Sequence, residues 1–208
     1  MTTCCEALVI GIGNLLWADE GFGVRAVETL HARYAYPDDV RLVDGGTQGL
    51  YLYDLIVSAR RVLVLDAIDF GLPAGALKIV RDAAVPSWSA RRMSPHQNGF
   101  NDVLALAHLR NEAPDKVTLI GVQPKVLEDF GGSMSPKVRA RIPEAVALAA
   151  GELIAWGFLG RRRARSAVVE PLNAAALALD VYETGRPSEE VACRIGDPRV
   201  LEQAQRRS

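Results

Sequence analysis

Residues 7–24, ALVIGIGNLLWADEGFGV, constrain the fold more than any other stretch of this chain. Leu8 to Ile12 is an unbroken apolar run that reads as a fully buried strand, and Gly11 and Gly13 break it before a helix from near Gly21 to Tyr34. Strand, glycine turn and helix in that order define the opening unit of an α/β fold. The turn also carries Glu20 to the start of the helix.

Similar units follow. Val40 to Val43 is predicted as a second strand, stopping at Asp44-Gly-Gly-Thr47, and Leu50, Tyr53, Leu55 and Ile56 mark an amphipathic helix after it. Arg61 to Asp66 is a third strand. Ala76 to Arg81 alternates and is expected at an edge or antiparallel. After an irregular stretch from Pro86 to Gln97, Phe100 to Leu109 reads as a helix and Lys116 to Gln123 as a buried strand ended by Pro124. Apolar positions from Val138 to Leu153 recur at helical spacing, so a long helix is expected over about 135–156. Pro143 inside it predicts a kink or a later start.

Apolar strands alternating with helices imply a three-layer α/β/α domain around a twisted, mostly parallel five-stranded sheet, with one strand antiparallel. We assign this domain to residues 1–159. Residues 160–208, where the composition turns to charge and proline, form a C-terminal extension expected to be partly helical or disordered.

With 208 residues and a formal net charge of -1, the chain lacks the basic excess of a general nucleic-acid or membrane-surface binder. Three cysteines, two of them the adjacent Cys4 and Cys5, offer no disulfide framework and no C-x-x-C signature. Neither a signal peptide nor a spanning segment is recognisable, so a cytoplasmic protein with no membrane insertion is expected.

In parallel sheets the binding crevice lies beyond the carboxyl ends of the strands. Glu20, Asp44 and Asp66 follow three such ends and are expected to gather there. Glu20 and Asp66 with His96, from Ser94-Pro-His-Gln97, supply the oxygen and nitrogen donors suited to a divalent metal. Taken singly, each has a plain structural role: a charge at a helix N-terminus, a turn cap and a hydrogen-bonded loop histidine. His31 and His108 lie within helical patterns and read as surface or packing residues. Gly11-Ile-Gly13 resembles a dinucleotide fingerprint only in part. Leu16 stands where its third glycine belongs, and Asp19 and Glu20 place negative charge where a pyrophosphate would bind. No H-E-x-x-H or G-x-S-x-G protease motif is present.

Five stretches, in order, resemble the hydrogenase maturation endopeptidases, which trim the C-terminal extension from the large subunit of nickel-iron hydrogenases. They are Gly11 to Arg25, Asp44-Gly-Gly-Thr47, Leu65-Asp-Ala-Ile68, Ser94-Pro-His-Gln97 and Leu119 to Pro124, within roughly residues 6 to 156. The chain looks most similar to the members serving membrane-bound uptake hydrogenases. The resemblance implies Glu20, Asp66 and His96 as catalytic residues and metal ligands. It also implies Asp44, Gly45, Gly46 and Thr47 as the substrate-recognition segment. The metal it implies is nickel already inserted in the precursor, for which another divalent metal can substitute. The implied partners are the large-subunit precursor and, as a further candidate, accessory maturation chaperones. Three protein ligands leave metal positions open for substrate groups or water, with Asp19 or Asp44 as candidates to manage a proton. A non-enzymatic nickel-checking chaperone for the same precursor is the alternative.

Overall fold

The structure, a computed structural model, describes residues 5–82, 84, 85, 95–127, 129, 131–164 and 166–185, and of residues 95–98 the backbone only. Among the described residues a five-stranded sheet is built from β1 (Cys5–Ile12), β3 (Val40–Gly46), β4 (Ala59–Ala67), β5 (Leu77–Arg81) and β6 (Lys116–Val122). Their order is β3-β1-β4-β6-β5, parallel throughout except where β5 runs antiparallel to β6 at the edge. The expected three-layer α/β/α architecture is thus observed. The chain winds from β1 to β3 on one side, then returns to β4 on the other, so the direction of winding reverses at the carboxyl end of β1.

Helices α1 (Phe22–Arg33) and α5 (Ile142–Ala155) cover one face. There Phe22, Ala26, Leu30, Ala145, Ala149 and Leu153 pack on Val9, Leu63, Leu65 and Ile120. The short α2 (Tyr53–Val57) and α3 (Pro95–Leu109) cover the other face, with Ile56, Phe100, Val103 and Leu104 against Leu8, Ile10, Val62, Val64 and Leu119. Strands buried on both faces explain the continuous apolar runs.

Several boundaries differ from the sequence reading: β1 and β4 start earlier, at Cys5 and Ala59, and three further differences have a clear physical reason. β3 continues through Gly46 because β1 keeps pairing with it, Gly11 with Asp44 and Ile12 with Gly46. The helix expected from Phe100 begins at Pro95, a residue suited to a first helical position because the missing N–H has no partner there in any case. The rest of the irregular stretch, residues 86–94, lies outside the described residues. The expected long helix is divided into α4 (Pro136–Arg139) and α5, with Pro143 in the first turn of the second piece, the later start that proline predicts.

A second, two-stranded ribbon had no signal in the sequence. It pairs β2 (Tyr34–Ala35) antiparallel with β7 (Arg161–Arg162). Beyond β7 the chain runs to a 3-10 turn at Ala175–Leu177 and to α6 (Leu179–Gly185). No helix of the described residues is long and apolar enough to cross a membrane.

Candidate active site

The turn after β1 is shaped by backbone that only glycine allows. Gly13 has φ +137°, and a Cβ there would fall 1.8 Å from the Glu20 carbonyl oxygen. A Cβ on Gly23 would fall 2.1 Å from the Leu65 carbonyl and 2.3 Å from that of Ile12. Helix α1 therefore rests backbone on backbone over the ends of β1 and β4. Ala18–Gly21 forms a 3-10 turn entering α1, and this turn touches β4.

Glu20 lies in that turn, at the point where the winding reverses, and only 8% of its surface is exposed. Burial pushes its carboxyl up to about 7, because desolvation penalises the charged form. Asp66 is the penultimate residue of β4, 5% exposed, with Oδ1 accepting from the Ala67 N–H at 2.7 Å. It shares the parity of Val62 and Val64, so it points to the α3 face. His96 stands in the first turn of α3 on that face, and its side chain lies outside the described residues. Among the described residues no three His, Cys, Asp or Glu side chains are grouped for a metal ion.

Asp44 reaches the same sheet edge but turns the other way. It follows the parity of Val40 and Leu42, toward the α1 face. Its Oδ1 accepts from the Gly46 N–H at 2.8 Å and its Oδ2 from Asn173 Nδ2 at 2.7 Å. Gly45 packs against Ile10, Gly46 takes φ +48°, and Thr47 leads to the 3-10 turn Gly49–Leu52.

Asp19 is fully buried and ties two loops together. Oδ2 accepts from the N–H groups of Lys125 and Val126 at 2.8 and 2.9 Å and from Ser135 Oγ at 3.0 Å, while Oδ1 accepts from the Ser135 N–H at 2.6 Å. Four donors on one carboxylate make Asp19 a clamp between these loops. Gln123 does similar work: Oε1 accepts from Phe70 and Leu72 N–H, and Nε2 donates to Asp69. A cleft of about 440 Å³ lined by Asp69, Gln123, Pro124 and Lys125 opens beside these loops. His31 is on α1, with a ring nitrogen 2.9 Å from the Glu170 carbonyl oxygen, and His108 lies in the last turn of α3.

The motifs signalled the placement of Glu20 and Asp66 at this sheet edge. The clamp role of Asp19 had only its place in the first motif as a signal, and Asn173 had none.

An open, mostly parallel α/β sheet with buried carboxylates at its switch point is a domain of the doubly wound type, whose ligand crevice lies at that edge. Comparison with known proteins narrows this. Residues 24–152 match the hydrogenase maturation protease family. The hydrogenase expression/formation protein HoxM of Azotobacter vinelandii is 53% identical over 202 residues, covering 97% of each chain. HupD of Thiocapsa roseopersicina is 52% identical over 198 residues, 94% of this chain and 90% of its own. The solved hydrogenase-maturating endopeptidase HybD of Escherichia coli superposes with TM-score 0.72 at 38% identity, covering 76% of this chain and 98% of its own. The chain belongs to the hydrogenase maturation protease family.

Proposed function

We propose that this chain is the cytoplasmic endopeptidase that removes the C-terminal extension of a nickel-iron hydrogenase large-subunit precursor after nickel insertion. An uptake-type hydrogenase is the expected client. The observation that carries this reading is the burial of two carboxylates, Glu20 and Asp66, at the switch point of a sheet belonging to this protease family. Burying carboxylates is costly, and an approaching dication offsets that cost.

In this reading the nickel arrives as part of the substrate. Glu20, Asp66 and the first-turn His96 meet it and complete a mixed oxygen and nitrogen set, which other divalent metals also satisfy. The metal supplies Lewis acidity next to the bond to be cut. The protein's own contribution is placement. Asp19 and Gln123 hold the surrounding loops, the Asp44–Thr47 turn reads the precursor, and the cleft beside Gln123 and Lys125 is sized for an extended peptide. Accessory maturation chaperones are further candidate partners.

The test is incubation of the purified protein with nickel-loaded and nickel-free precursor, followed by mass measurement of the precursor C-terminus. Shortening of the loaded precursor alone, abolished by Glu20→Gln, Asp66→Asn or His96→Ala, is the expected result. Tight binding of the loaded precursor without any shortening would replace this reading with that of a nickel-checking chaperone.

A further inference from the structure

The segment from β7 to α6 crosses the α1 side of the sheet as a strap. Its first residues pair with β2, and Arg163 Nε donates to the carbonyls of His31 and Tyr34 at 3.2 Å each. Farther on, the Leu177 carbonyl accepts from Nη1 of the buried Arg25 at 2.7 Å, and the Glu183 carboxylate accepts from Ser133 Oγ at 2.5 Å. Leu172 packs at the margin of the core, a His31 ring nitrogen lies 2.9 Å from the Glu170 carbonyl oxygen, and beside these contacts a cavity of about 220 Å³ is lined jointly by the strap and by Glu28 and His31 of α1. The strap is thus fastened at points, by polar contacts, over a partly hollow interface.

Midway along the strap, Asn173 bonds Asp44 across a separation of 129 residues. With one carboxylate oxygen on Gly46 N–H and the other on Asn173, both side-chain torsions of Asp44 are set. The left-handed Gly46 and the buried Gly45 leave the turn little other freedom. The donor is an uncharged amide, so it orients the carboxylate without cancelling its charge. An arginine or lysine there would do both.

We propose that Asn173 is a positioning residue for precursor recognition. The strap holds Asp44 so that the Asp44–Thr47 turn meets the precursor as a charged, fixed surface, and residues 161–185 are a working part of the enzyme. This rests on the functional reading above and deepens its specificity step.

Steady-state processing of nickel-loaded precursor by wild type, Asn173→Leu, Asp44→Ala and the double variant tests it. For the loss of one charge-assisted hydrogen bond, Asn173→Leu is expected to raise KM about tenfold with kcat within about twofold. Its Tm stays within about 2 °C of wild type, and it adds nothing in the Asp44→Ala background. An unchanged KM overturns the proposal. So does a joint fall of kcat and Tm, which marks a purely structural contact, or a full additional defect on top of Asp44→Ala. If wild type binds precursor without cutting it, the functional reading fails instead, and the same comparison is made on Kd.

Discussion

The carboxylate of Asp19 and residue Ser135, 116 positions apart, are joined twice: Oδ1 accepts the Ser135 N–H and Oδ2 accepts its hydroxyl. With Lys125 and Val126 on the same carboxylate, the turn carrying Glu20 is locked to the loop between β6 and α4. Removing this acceptor strands the buried Ser135 N–H and hydroxyl, at about 1–3 kcal/mol each, and leaves the part-buried N–H groups of Lys125 and Val126 without their partner at a smaller cost. Asp19→Ala is therefore expected to lower stability by at least about 3 kcal/mol, read by urea unfolding. Asp66→Asn, by contrast, is expected to keep its Tm while losing processing. Equal melting of Asp19→Ala and wild type would refute the clamp.

Glu20 adds a pH dependence of a definite sign. Its folded pKa, about 7, stands above the ordinary value of 4.5, so the folded state holds a proton that the unfolded state releases. The associated stability is fully present below pH 4.5 and is lost as pH rises through 7. The isolated protein should lose roughly 1–3 kcal/mol from this group between pH 5 and 8. Glu20→Gln should remove that loss, melting higher than wild type at pH 8 while failing to process precursor. A variant that melts lower at pH 8 would contradict the burial cost.

Glu152 has the opposite sign. It accepts from Arg81 Nη2 at 2.7 Å and from Thr118 Oγ1 at 2.9 Å, joining α5 to β5 and β6, and the Arg81 hydrogen bond holds its carboxyl below the ordinary value. Its contribution is present above the unfolded value of 4.5 and lost as pH falls through the lowered folded value. Glu152→Gln is expected to cost about 1 kcal/mol at pH 7 and to flatten the acid limb of a pH–stability profile. An unaltered acid limb would show the contact to be ineffective.

Gly23 admits no side chain, since a Cβ there meets two strand carbonyls at 2.1 and 2.3 Å. Gly23→Ala must lift α1 from the sheet and is expected to destabilise by roughly 2–4 kcal/mol, with processing falling as Glu20 shifts. Melting and processing measured on one preparation check both. Retention of wild-type Tm would mean that α1 shifts at no cost.

Much of the sheet was legible because both of its faces are covered. Leu8–Ile12 and Val62–Leu65 had to be apolar throughout, and Val117–Ile120 nearly so with Thr118 as its one polar residue, and that pattern survives in one dimension. Helix starts were less so. Pro95 looks like an interruption in the sequence yet opens α3, and Pro143 stands in the first turn of α5, whose start after Arg141 has no side-chain cap to signal it. The location of Glu20 and Asp66 was legible because topology alone sends the ends of parallel strands to one edge.

Sequence order alone determined the α/β class, the buried strands and the arrival of three acidic residues at one sheet edge, because these depend on local periodicity and chain direction. The division of labour among those acids was decided only in three dimensions. Strand parity turns Asp66 to the α3 face and Asp44 to the α1 face. Contacts across 106, 116 and 129 residues then make Asp19 a clamp and give Asp44 to Asn173. Hydrogen bonds between segments so distant leave no periodic trace, because each depends on where the whole fold brings two backbones together.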